Sequence, residues 1–275
     1  MPFGVTAAFL LSASVVGVPV GAPPAVRLDT SAAERVTIVA TEYAFQAPDS
    51  IRAGVVDLHL VDRGRLPHQA WLMRLDDGKT MQDFRDARSF EPWMVDVGGP
   101  NAVRPGSSAT ATLLLSPGNY VLICLMVDAK GRTHLALGMK RALRVVGPAP
   151  APDAALPAAD DSVRLTNYSF LLAHPLAAGR HRLLVRNVAD QPHELALVRL
   201  ASGKGPFDFA KWSEKQQGPP PGQWFGGVTG LSPGQEAEAE VDLRPGRYAF
   251  ICFLSDAKDG KPHFEHGMVS EFTVR

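Results

Sequence analysis

The chain has 275 residues, 45% of them hydrophobic and 20% charged, with 28 Lys plus Arg balanced by 28 Asp plus Glu. That is an ordinary globular balance with apolar material for one or two full cores. A formal net charge of zero leaves no basic surplus to hold nucleic acid and no acidic surplus for a solvating tail.

Residues 1–22 are apolar and end in small residues near Ala22. They read as a signal peptide, although no Lys or Arg precedes the apolar run; an uncleaved anchor or a misplaced start stays open beside that reading. No later stretch is long enough to span a bilayer, so no membrane span is expected in the mature chain. Export would place the protein in the periplasm or outside the cell. Residues 23–35 form an N-terminal segment before the first periodic element.

Self-similarity decides the expected organisation. Residues 36–146 align with 163–275. Tyr43-Ala-Phe matches Tyr168-Ser-Phe, and a Pro-His follows in each, at Pro67-His68 and Pro192-His193. Gly98-Gly99 matches Gly226-Gly227, and Leu115-Ser-Pro-Gly-Asn-Tyr matches Leu243-Arg-Pro-Gly-Arg-Tyr. Residues 147–162, rich in Pro and Ala, read as a semi-rigid linker. Within each unit the period is two, as in Val55-Val-Asp-Leu-His-Leu-Val and Glu236-Ala-Glu-Ala-Glu-Val-Asp-Leu, the latter expected as a half-buried strand. Pro-Gly turns separate many short strands, which predicts antiparallel β-sandwiches. One helical interruption per unit is expected, at Thr80–Arg88 and at Phe207–Gln216, capping one end of the sandwich.

The chemistry sits in two short segments. Cys124, His134 and Met139 recur as Cys252, His263 and Met268. Nine residues separate Cys from His in the first and ten in the second; four separate His from Met in both. A thiolate, imidazoles and a weak thioether form the ligand set of an electron-transfer copper centre. His68 and His193 supply a second imidazole in matched places. Cysteines in the same place of two separate cores cannot reach each other for a disulfide, so metal ligation gives them a use. Packing alone explains any one of these residues, since free Cys and Met are often core. It does not call for two imidazoles per unit, twice. Zinc accepts Cys and His but gains little from a thioether, so copper leads.

On these motifs each unit resembles a cupredoxin, the small type 1 (blue) copper fold. The resemblance implies an all-β chain of two tandem Greek-key sandwiches with one copper per unit if both are loaded. It implies ligands His68, Cys124, His134 and Met139 in the first unit and His193, Cys252, His263 and Met268 in the second. The loop between Cys and His is longer than in familiar members, and Asp128-Ala-Lys-Gly-Arg and Asp256-Ala-Lys-Asp-Gly-Lys would form a polar excursion that returns the imidazole to the sulfur. Gln69 and Glu194, each after the upstream His, are candidates for supporting hydrogen bonds, and His266 for an alternative ligand. The resemblance also implies electron entry through an exposed loop His, with Leu135, Leu137 and Phe264 as an apolar docking patch for a redox partner protein.

One-electron transfer is thus the expected function, with a copper carrier or reservoir and a metal-free interaction module as alternatives. A copper oxidase or nitrite reductase would need further copper ligands beside the Cys or in His-x-His pairs. Ile123 and Leu125 flank Cys124, Ile251 and Phe253 flank Cys252, and no His-x-His occurs.

Overall fold

Period-two alternation drives most of the chain into strands, as in the segment from Gly54 to Asp62, where Val56, Leu58, Leu60 and Asp62 turn inward. The computed structural model describes Met1, Gly4 and residues 33–275. The expected signal peptide and nearly all of 23–35 lie outside the described residues. In chain order the strands are β1 (Glu34–Thr41), β2 (Ala44–Gln46), β3 (Ser50–Arg52), β4 (Gly54–Asp62), β5 (Trp71–Leu75), β6 (Met94–Gly98), β7 (Ser108–Leu115), β8 (Gly118–Ile123) and β9 (Lys140–Val146). After residues 147–160 come β10 (Asp161–Thr166), β11 (Ser169–Leu172), β12 (Gly179–Asn187), β13 (His193–Leu200), β14 (Gly222–Leu231), β15 (Glu236–Leu243), β16 (Gly246–Ile251) and β17 (Val269–Val274). Apart from β3, the second series repeats the order of the first.

The result is an all-β sandwich of two sheets. One runs β11-β10-β12-β15-β7-β4-β1-β2, and the other β17-β16-β13-β14-β6-β5-β8-β9-β3. Both cross from one half of the chain to the other, at β15/β7 (Ala239 opposite Ala111) and at β14/β6 (Leu231 opposite Val97). Ala32–Arg275 is accordingly one compact unit. The sheets are mixed rather than purely antiparallel: β1 runs parallel to β4, β10 to β12 and β3 to β9. The chain leaves β1 through the short β2 and β3 before returning as β4, a connection long enough to permit a parallel pair.

Shared sheets also change β15. Its alternation suggests glutamates facing solvent, yet Glu238 is fully buried, because β7 covers the edge that a separate half would expose. Arg182 from β12 compensates the carboxylate at 2.6 Å.

Helices α1 (Met81–Asp86) and α2 (Pro206–Ser213) lie where the sequence places them, between the Pro-His strand and the Gly-Gly pair. Thr80 caps α1 through a reciprocal box with Asp83, and Pro206 opens α2 at a position where its missing N–H costs nothing. Phe84 and Phe209 anchor them to the sandwich. The Gly-Gly pairs are not turns: Gly98 ends β6 and Gly226-Gly227 lie within β14, where they press on the segments that follow the upstream histidines. Gly99 and Gly227 have left-handed φ values of 134° and 101°, and a Cβ on either would sit 2.1 Å from the carbonyl oxygen of Ala70 or Leu195.

Candidate metal centre

The apolar strands β8 and β16 end directly on Cys124 and Cys252, so each thiol arrives inside the sandwich at zero exposure. Backbone bonds then close the loop. Cys124 N–H donates to Met139 O, Leu135 N–H to Cys124 O, and Met139 N–H to His134 O at 2.8 Å. Cys252 N–H donates likewise to Met268 O, Phe264 N–H to Cys252 O, and Met268 N–H to His263 O at 3.0 Å. Cys, His and Met are therefore clasped together whatever the chain does between them.

What it does is a tight polar knot. Asp128 accepts the N–H groups of Lys130 and Arg132 at 2.9 Å each, and its other oxygen takes the Arg132 guanidinium. Asp256 accepts Lys258 N–H, Gln191 Nε2 and the Tyr168 hydroxyl, which hold its carboxyl below the usual carboxylate range. The long excursions thus return each imidazole: His134 Nδ1 lies 3.4 Å from Cys124 Sγ, and His263 Nδ1 lies 3.3 Å from Cys252 Sγ.

The upstream histidines behave differently in the two halves. His193 Nδ1 lies 3.8 Å from Cys252 Sγ and 3.0 Å from His263 Nδ1, so the three donors close into a buried group able to hold a metal ion. A point about 2 Å from all three atoms lies within their triangle, near the reach of metal–imidazole and metal–thiolate bonds. Asn167 Oδ1 sits 3.1 Å from His193 Nε2, in position to fix the ring from behind. His263 Nε2 is buried without a partner and faces Asp256 at 3.8 Å. In the other half His68 lies tilted against His134, with ring centroids 4.9 Å apart, but its Nδ1 lies 3.0 Å from Asp62 Oδ1. His68, Cys124 and His134 do not close into a comparable group. Met139 and Met268 are both fully buried.

Burial also sets the protonation states. The Cys124 thiol is pushed up to about 12, chiefly by desolvation, and Cys252 upward for the same reason with the Glu194 carboxylate adding to it. Desolvation, and then a neighbouring imidazole, draws His134 and His193 down to about 4. His263 is lowered too, again by burial. The two thiols and the imidazoles of His134, His193 and His263 are therefore neutral near pH 7, and a cation binding them would displace a thiol proton.

Two expectations need correction. His134 and His263 are fully buried rather than exposed, because Tyr43 and Tyr168 pack edge-on over them at centroid distances of 5.1 and 5.7 Å. Phe264 is buried as well, which removes it from any surface patch. His266 stays at the surface, bonded to Asp259, outside the His193–Cys252–His263 group. Glu194 supports the site through both backbone and side chain: its N–H points at Cys252 Sγ (3.5 Å), and its carboxylate accepts Phe253 N–H and Asn101 Nδ2. Gln69 supports Cys124 through its backbone. The repeat of Tyr43-Ala-Phe as Tyr168-Ser-Phe is the only sign of the tyrosines in the sequence, and their left-handed φ of 63° and 65° is what aims them at the loop.

No protein-family model matches this chain, and no curated protein matches it. Among solved structures it is similar to a multicopper oxidase (14% identity, 88% of each chain, TM-score 0.26). It is also similar to an auracyanin from the photosynthetic bacterium Roseiflexus castenholzii (17% identity, 42% of this chain and 99% of that one, TM-score 0.28). A copper-containing nitrite reductase from Thermus scotoductus matches at 10% identity over 89% of this chain and 62% of that one, with a TM-score of 0.26. At these scores the likenesses carry no argument about this chain, whose function has to be read from its own pocket.

Proposed function

We propose that this chain is an exported copper-binding protein that carries single electrons through a type 1-like centre, built from two cupredoxin-like units, 36–146 and 163–275. One observation carries the reading: a thiol and two imidazoles, all fully buried, converge with their donor atoms 3.0, 3.3 and 3.8 Å apart at His193, Cys252 and His263. Mixed sulfur and nitrogen donors suit both Cu(I) and Cu(II), so copper bound there supplies a one-electron couple. The chain's own part is to hold those donors in one arrangement. The backbone clasp from Cys252 to Met268 fixes sulfur, loop imidazole and thioether on one hairpin. Asn167 orients His193, and Tyr168 and Phe264 keep water from the sulfur. Met268, buried in the same hairpin, would supply a thioether to the bound ion, and Met139 has the matching place in the other half. Electrons would pass through the Tyr-covered face rather than a bare imidazole edge, to and from a redox partner protein. Among the described residues no helix is long and apolar enough to cross a membrane; export rests on the apolar residues 1–22.

Cu(II) titration of the purified chain, followed by visible absorption and EPR, tests the reading. We expect an intense visible band that reductant bleaches and oxidant restores, and that Cys252→Ser abolishes. Tight but colourless Cu(I) uptake would point to storage instead, and no uptake at all would overturn metal binding.

A further inference from the structure

The two halves differ at the two residues that handle the upstream imidazole. Asp62 and Asn187 occupy the same place. Each ends its strand, opposite Ala40 in one half and Leu165 in the other. Each sends its backbone N–H at 3.0 Å to the carbonyl just ahead of the strand paired beside it, Ser107 O ahead of β7 or Gln235 O ahead of β15. Asn187 spends its side chain on the backbone: Nδ2 donates to Gln191 O (2.8 Å) and Leu231 O (2.7 Å), and Oδ1 accepts Ala189 N–H. It leaves His193 free to face the sulfur. A carboxylate has no proton to give those carbonyls. Asp62 instead accepts Gly64 N–H at 2.8 Å and takes hold of His68 Nδ1 at 3.0 Å, both side chains at zero exposure, while its second oxygen finds no partner.

The other position lies one residue before the left-handed tyrosine. There Asn167 sits against His193 Nε2, whereas Glu42 turns its carboxylate to the backbone N–H groups of Arg65 and Leu66. His68 Nε2 is buried and unpartnered. Two amides in the C-terminal half have become two acids in the N-terminal half, and the nitrogen that faces the metal pocket in one faces an acid in the other. Breaking the His68–Asp62 hydrogen bond would leave the buried Asp62 side chain with Gly64 N–H as its remaining partner, its second oxygen already having none.

We infer that Asp62 withholds His68 from the N-terminal pocket, so that the chain holds one copper ion tightly, in its C-terminal half, and position 62 decides that inequality. This rests on the copper reading above. Copper retained per chain after passage through a chelating resin, counted by elemental analysis alongside the visible spectrum, tests it. The native chain should retain one copper, Cys124→Ser one, and Cys252→Ser none. Asp62→Asn together with Glu42→Asn should raise retention to two and roughly double the visible band. The reverse exchange, Asn187→Asp, should weaken retention in the C-terminal half by tenfold or more. Two equally held coppers in the native chain, with Cys124→Ser and Cys252→Ser each removing one, would overturn the inference and leave the copper reading standing. No copper in any variant would overturn both. The two cysteine variants keep the comparison decisive even if the carboxylate exchange does not fold.

Discussion

Glu194 shows how much one side chain beside the sulfur has to reconcile. It is buried, accepts two hydrogen bonds, and burial still pushes it up to about 7; Asp96, bonded by Trp71 Nε1, is pushed to about 6 in the same way. These acids are protonated more readily folded than unfolded, so they make stability fall as pH rises from about 4 to 7. His134 and His193, drawn down to about 4, act in the opposite sense. The unfolded chain binds their protons first, so the metal-free protein loses stability as pH falls from about 6.5 to 4, on the order of 2–3 kcal/mol per imidazole. The two pairs of groups thus pull in opposite directions over the same pH window. Glu194→Gln removes one of the two opposing acids and should make the melting temperature of the metal-free protein drop more steeply on acidification from pH 7 to 4.5 than that of the native chain. A parallel pair of melting curves would refute the assignment. Asn187→Ala is the simpler case: two buried carbonyls lose their donors, and a loss of about 2–3 kcal/mol is expected in denaturant unfolding.

At the scale of elements, the Gly-Gly pairs of β6 and β14 and the loop knots do most of the positioning. Gly227→Ala combines left-handed backbone with a Cβ 2.1 Å from Leu195 O, so β13 must shift and take His193 with it. A loss of about 3 kcal/mol or more is expected from the urea midpoint, together with weaker copper retention. Asp128→Ala would free Lys130 and Arg132 and loosen the excursion that brings back His134; hydrogen exchange should speed across 125–134 while the strands stay protected. The strands, the Pro-Gly turns, both helices and the Cys-to-Met hairpins were legible in the sequence because each depends on near neighbours in the chain. The roles of Asp62, Asn187 and the tyrosines were not. Their partners lie across a turn or a sheet, and nothing in the spacing of Asp62 and His68 says which ring nitrogen will be taken. The buried glutamate of β15 escaped for a similar reason: alternation reports which face a residue is on, not what covers that face.

Taken whole, the molecule is bound across its midline. The main core cluster includes both cysteines together with Met139 and Met268, and Trp71 of β5 lies so close to β14 that a Cβ on Gly230 would be 2.0 Å from its ring. Unfolding should therefore be a single transition by scanning calorimetry, with calorimetric and van't Hoff enthalpies in agreement. Gly230→Ala should lower that one melting temperature rather than split it, and two resolved peaks would contradict the shared core. Cleavage within residues 148–158 should leave the halves associated on a sizing column.

The seam through the middle of both sheets has a cost during synthesis. The first half leaves the ribosome with the rims of β6 and β7 bare, and their mates in β14 and β15 follow only after most of the remaining chain is made, roughly ten seconds later at ordinary elongation rates. For that interval the nascent protein is adhesive along two strands, and a neighbouring nascent copy offers the same complementary rims. Crowded expression should consequently yield exchanged dimers, in which the first half of one molecule zips onto the second half of another.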